Sequence, residues 1–80
     1  MTEEEFLGWP NWETWNVALW LGTEYCLYLC MCGYKTYPQP FRSLRRDLME
    51  QIGYISTKDR VSLWNHKLDV NRLDEWIRES

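Results

Sequence analysis

Glycine and proline are scarce, 4 and 3 among 80 residues, which excludes collagen-like and low-complexity chains. Gly8, Gly22, Gly33 and Gly53 stand alone, so no Gly-rich phosphate loop exists. Lys and Arg are absent from residues 1–34. Uninterrupted apolar runs of the ~20 residues a membrane span needs are missing too. The longest apolar window, Val17 to Tyr34, is broken by Gly22-Thr23-Glu24 and carries no basic flank on its N-terminal side, so no membrane association is expected. Cysteines number 3, at 26, 30 and 32, and an odd set cannot close into intrachain disulfides. The start, Met1-Thr-Glu-Glu-Glu5, is acidic where a secretory signal needs a basic, then apolar, stretch. These features predict free thiols and a cytoplasmic location.

What is present describes one small domain over residues 1–80, with residues 1–8 as a flexible N-terminal segment. Hydrophobic residues make up 45%, too many for a disordered chain. With 12 acidic and 9 basic residues the net charge is −3, which argues against non-specific coating of nucleic acid. Charge is uneven. Glu3, Glu4, Glu5, Glu13 and Glu24 share the first third with no basic residue, and every Lys and Arg lies from Lys35 onward.

The pattern predicts a mainly all-α fold, a bundle of about four short helices with a short extended segment near 61–64. Asn11 suits an N-cap, with Glu13 in the first turn. Trp12, Trp15 and Leu19 form one apolar stripe, and Val17, Trp20 and Leu21 an adjoining one. Gly22 fits a left-handed C-cap, and Thr23 could cap the next element. Tyr25 to Cys32 is wholly apolar, so periodicity leaves helix and strand open; the flanking Thr23 and Gly33 favour helix. Tyr34-Lys-Thr-Tyr-Pro-Gln-Pro40 forbids a continuous helix. Pro40 then opens a third helix, with Phe41, Leu44, Leu48 and Ile52 facing the core and Arg42, Arg45, Arg46 and Glu50 opposite. Gly53 ends it. Ser56-Thr-Lys-Asp59 has capping-box spacing, and Val61-Ser-Leu-Trp64 alternates. Asp69 caps the fourth helix, Leu68 and Leu73 make a hydrophobic staple, and Leu73, Trp76 and Ile77 point inward. Asp74 and Arg78 are spaced for an outer i, i+4 pair.

Chemistry-bearing sets are thin. Cys26 and Cys30 share a helical face, but a structural zinc site needs four ligands, commonly in two knuckles. His66 is the single histidine. The thiols stand in an apolar run without positive neighbours, which raises rather than lowers a thiol pKa. They are expected to be buried small hydrophobes, with no metal, no cofactor and no catalytic residue. Asp74 and Glu75 are adjacent on a helix and point apart. Arg42, Arg45 and Arg46 make a stripe that could contact an anion, though one stripe on an acidic protein is a weak nucleic-acid signal. The aromatic content is the unusual feature: 6 Trp, 5 Tyr and 2 Phe, beside ten Leu, are more than so small an interior encloses. Part of that surplus is expected on the surface, as a partner-binding or homodimer patch.

The run Asn11-Trp-Glu-Thr-Trp-Asn-Val-Ala-Leu-Trp-Leu21 resembles the signature Asn-(Tyr/Trp)-Glu-Thr-Trp-Asn-x-(Ala/Ser)-Leu-Trp-(Leu/Ile) of a small uncharacterised domain of phage, prophage and plasmid genes. Glu24, Leu27-Tyr28 and Leu68-Asp-Val-Asn-Arg-Leu-Asp-Glu-Trp-Ile77 match its later parts. The middle departs, with Thr57-Lys-Asp-Arg60 where that family tends to have Thr-Pro-Asp-Gly. The resemblance implies a mobile-element setting and no transferable activity. Small acidic proteins of that class often bind and block a host protein. The expectation is therefore a non-enzymatic, anti-CRISPR-like inhibitor of a host defence complex such as a CRISPR–Cas effector or restriction enzyme. Its docking residues would be Glu3, Glu4, Glu5, Trp9, Trp12, Glu13 and Glu24. The alternatives are a nucleic-acid-associated factor using Arg42, Arg45 and Arg46, or a metal- or thiol-dependent module. Asn11, Glu13, Thr14 and Asn16 are read as caps and buried hydrogen bonds that hold the first helix.

Overall fold

Asn11 opens α1 (Trp12–Thr23) in the computed structural model, which describes residues 7–79. Its side-chain oxygen accepts the Thr14 backbone N–H at 2.8 Å, taking up one of the free first-turn donors. The helix outlasts Gly22. Thr23 is its last residue, and the Thr23 hydroxyl donates back to the Leu19 carbonyl at 2.7 Å instead of capping the second helix. The chain turns at Glu24 in extended geometry, φ −88° and ψ 113°, so no left-handed glycine is needed. α2 (Tyr25–Cys32) begins at once and is helical, which settles the ambiguity of that apolar run. Gly33 stands just past it with right-handed φ −70°.

Pro40 begins α3 (Pro40–Asp47), where its missing N–H costs nothing. A π-helical turn, Leu48–Ile52, continues α3 and ends at Gly53, whose φ of 89° is ground that a side chain resists. Phe41, Leu44 and Leu48 are buried as their spacing predicts. Ile52 is not: the extra residue in the wider turn takes it off that line, and it is 55% exposed. Between Gly53 and α4 (Val70–Glu79) the chain loops back through a single antiparallel bridge, Ser56 to Ser62. Among the described residues there is no strand. The alternation of 61–64 survives as burial, with Val61 and Leu63 inside and Ser62 and Trp64 outside.

The core joins Val17, Ala18, Trp20 and Leu21 of α1 to Leu27 and Met31 of α2. Phe41, Leu44 and Leu48, loop residues Val61, Leu63 and Leu68, and Leu73 and Ile77 of α4 complete it. Fully burying one such side chain contributes roughly 1.5–3 kcal/mol as an upper figure. Asp69 caps α4 as expected, its carboxylate accepting the Arg72 N–H at 3.0 Å. Leu68 and Leu73 are both buried, as a staple requires.

One carboxylate is placed where surface spacing would not put it. Asp74 is buried and accepts the Phe41 N–H at 2.7 Å, so α4 supplies the first-turn acceptor that Gln39 does not give α3. A buried anion at a helix N-terminus is favoured by the helix dipole. Arg42 stands 3.6 Å away as its counter-ion. The outer Asp74–Arg78 pair therefore does not form, and Arg78 donates to the Pro38 carbonyl at 2.9 Å.

No helix among the described residues is long and apolar enough to cross a membrane.

Candidate protein-binding surface

α2 has no charged residue at any of its eight positions, and the core covers only one side of it. Leu27 and Met31, four apart, are buried; Tyr25, Cys26, Tyr28, Leu29 and Cys30 are exposed. Tyr25 is 74% exposed and Leu29 52%. The Tyr28 hydroxyl, hydrogen-bonded with the Cys32 thiol, is pushed above its ordinary pKa by that contact. Cys26 and Cys30 are thus not buried hydrophobes. On an eight-residue helix with one covered side, two of the three thiols fall on the solvent side.

A second exposed apolar stretch lies at and beyond the π-helical turn. Met49, Ile52, Tyr54 and Ile55 all reach solvent, Ile55 at 58%. Tyr54 packs edge-on to Trp20 with ring centroids 5.9 Å apart. A groove of about 450 Å³ separates this stretch from α2, with Trp20, Leu27, Cys26, Cys30, Ile52 and Tyr54 among its walls. At one end Glu24 and Lys58 lie 3.8 Å apart, so the rim is electrically balanced. Across the groove Cys26, Leu27 and Cys30 of α2 face Trp20, Ile52 and Tyr54, a largely apolar surface of the kind that marks contact with another molecule.

The charged residues singled out in the sequence are distributed differently. Glu3, Glu4 and Glu5 lie outside the described residues. Trp9 is not a free anchor: it is half-buried against Trp76, with ring centroids 5.6 Å apart, and Arg72 covers its other side at 4.6 Å. Trp12 is 42% exposed and available. The fold brings Lys67 within 3.8 Å of Glu13 and Lys58 to Glu24, so neither carboxylate belongs to a purely acidic face. Of the arginine stripe, Arg42 is engaged by Asp74 and donates to Asn71 at 3.0 Å. Arg45 lies between the rings of Phe41 and Trp64 and donates to the Leu63 carbonyl at 3.0 Å. Burial, then the neighbouring Arg42, lowers its pKa. Arg46 is left outward, near Asp47.

A second, polar groove of about 640 Å³ runs between the start of α3 and α4. Arg42, Arg72 and Arg78 line it together with Asp69, Asp74 and Glu75, so its charges cancel. Among the described residues no group of three or more His, Cys, Asp and Glu could hold a metal. Tyr54, Ile55, Tyr25 and Leu29 were not singled out by sequence reasoning. The available signal was α2 itself, since eight residues without a charge cannot all face one core.

The chain matches a family of unknown function (DUF7249) over residues 2–79. No curated protein and no solved structure matches it.

Proposed function

We propose that this chain, which belongs to that family of unknown function, is a non-enzymatic protein that acts by stoichiometric binding of another protein. The observation that carries the reading is the apolar groove between α2 and the Ile52–Tyr54 stretch, with exposed Met49 and Ile55 in the same stretch as its second wall. Interface centres are apolar and poor in charge, and dominant contacts come from aromatic and aliphatic anchors in desolvated pockets. This surface supplies both. The charged groups of α1, α3 and α4 support the same reading from the other side, because most already serve the fold. The mobile-element setting implied by the resemblance makes a host defence protein, such as a CRISPR–Cas effector or a restriction enzyme, the first partner class to test.

The test is capture from host extract by tagged wild-type chain and by Ile52→Arg and Ile55→Arg variants, read by mass spectrometry. A partner held by wild type and by Arg46→Glu but lost by both apolar-surface variants supports the reading. Retention by the apolar variants and loss with Arg46→Glu sinks it. Binding of labelled DNA or RNA that weakens steeply with salt would favour a nucleic-acid factor instead.

A further inference from the structure

The three thiols of α2 have unequal surroundings. Cys26 and Cys30 are free and exposed, and both line the groove between α2 and the Ile52–Tyr54 stretch. Cys32 is half-buried, and its thiol is hydrogen-bonded with Tyr28. The difference follows from spacing. Positions four apart are neighbours on one helical face, with Cβ atoms about 5–6 Å apart. Cys32 is two positions past Cys30, about half a turn round the helix. We propose that Cys26 and Cys30 form a dithiol site for one soft monovalent metal ion of the Cu(I) type, held between the two sulfurs in the groove.

Bond lengths decide what the pair can close on. A disulfide needs Cβ atoms about 3.5–4.5 Å apart, closer than one helical face sets them, so the helix keeps Cys26 and Cys30 as thiols. A metal ion between the sulfurs replaces one S–S bond of about 2 Å by two bonds of roughly 2.3 Å, the length of a zinc–thiolate bond, and these span the gap. Ligand number decides which ion. Structural zinc takes four ligands, and among the described residues no group of three His, Cys, Asp or Glu could hold a metal. Glu24 lines the same groove, but its oxygen is a hard ligand and is paired with Lys58. Soft thiolates select Cu(I), which two sulfurs in line satisfy. Each bond forms with loss of one thiol proton, so one ion displaces two protons and leaves the site with a single negative charge. Trp20, Leu27, Ile52 and Tyr54 wall the groove, and apolar walls limit the access of water to the ion.

Anaerobic titration of the full chain with Cu(I), in competition with a chromogenic Cu(I) chelator, tests this. Cys26→Ser, Cys30→Ser and Cys32→Ser each keep two thiols, and only Cys32→Ser keeps the pair four apart. The expected result is one Cu(I) per wild-type chain and an unchanged affinity in Cys32→Ser. The other two should bind at least ~100-fold more weakly, since each loses the second arm of the chelate. Affinity should rise with pH, because two protons leave. Melts of the metal-free Cys26 and Cys30 variants should match wild type, as both positions face solvent; should one melt early, Cys26→Ala and Cys30→Ala repeat the comparison with a better helix former. Equal affinity in all three serine variants would mean adventitious thiol binding and overturns the site. So does loss of binding in Cys32→Ser, tight uptake of Zn(II), or failure to hold Cu(I) against the chelator. No protein partner enters the measurement, so failure here is separate from failure of the partner-binding reading.

Discussion

Two regions of this molecule invert the usual placement of side chains. Where α1 meets the loop of residues 57–69, polar groups go inside. Asn16 and Thr57 are buried, the Thr57 hydroxyl donating to Asn16 Oδ1 at 2.7 Å. Asn16 Nδ2 donates to Asp59 at 2.8 Å, Thr14 Oγ1 accepts the Asp69 N–H at 3.0 Å, and Asn11 Nδ2 donates to the Lys67 carbonyl at 2.6 Å. No buried side-chain donor or acceptor among the described residues is left without a partner. Around α2 and Met49–Ile55 the apolar groups go outside. The first region is a lock: a loop with no regular structure is held in one place because its buried polar side chains are all partnered, Thr57 Oγ1 three times over. The second is held chiefly by apolar contacts, Leu27 and Met31 in the core and Tyr54 against Trp20, with a hydrogen bond from Tyr34 to Asp47, and leaves apolar surface exposed. On the proposed reading, stability and binding are carried by different residues, and substitutions should separate them.

The largest effect is expected beneath the lock. Leu73, fully buried, should cost about 2–5 kcal/mol as Leu73→Ala in a urea melt. A near-neutral result would mean that the loop and α4 do not share one core. Within the lock, Asn16→Ala removes the partner of the buried Thr57 hydroxyl and should cost about 1–3 kcal/mol, while leaving partner capture through the apolar surface intact. Arg60 is expected to act in the opposite direction. Its φ of 71° lies in left-handed ground where a side chain is strained and glycine is not. Arg60→Gly should therefore stabilise the loop by up to about 1 kcal/mol, read as a raised Tm.

The second region is probed by pH. The Tyr34 hydroxyl, through its hydrogen bond to Asp47 and then burial, is pushed up from 10.0 to about 12. The protonated form is the one the fold favours, so this contribution is complete below pH 10 and is lost as pH rises toward 12. Denaturant melts should show wild type losing stability across that window more steeply than Tyr34→Phe. Equal slopes would show that the bond adds nothing to the docking of α2. The smallest effect belongs to the surface itself. Ile55→Ser should change stability by no more than about 0.5 kcal/mol while weakening partner binding. A large loss of stability would make Ile55 a structural residue and erase the distinction between the two regions.

Helix positions were legible in the chain because their causes are local. Asn11 and Asp69 cap through their own next turns, Pro40 starts a helix by its fixed φ, Gly53 ends one by its positive φ, and Phe41, Leu44, Leu48, Leu73 and Ile77 mark inner faces by periodicity alone. The candidate site was legible only as a surplus of apolar side chains. Which of them stay outside depends on how many faces of each helix find a neighbour, and that is set by the whole packing. Tertiary structure alone decided that Ile52 leaves the core line, that Cys26 and Cys30 face solvent, and that Trp9 lies against Trp76. Charge divided in the same way. Asp74 and Arg78 have the spacing of a surface pair, yet Asp74 is drawn inward by the free N–H of Phe41, 33 residues away in sequence. Lys58 and Lys67 return to an N-terminal third that has no basic residue of its own. Periodicity and capping act over one or two turns of chain, while burial and ion pairing are settled between segments that meet only once the chain has folded.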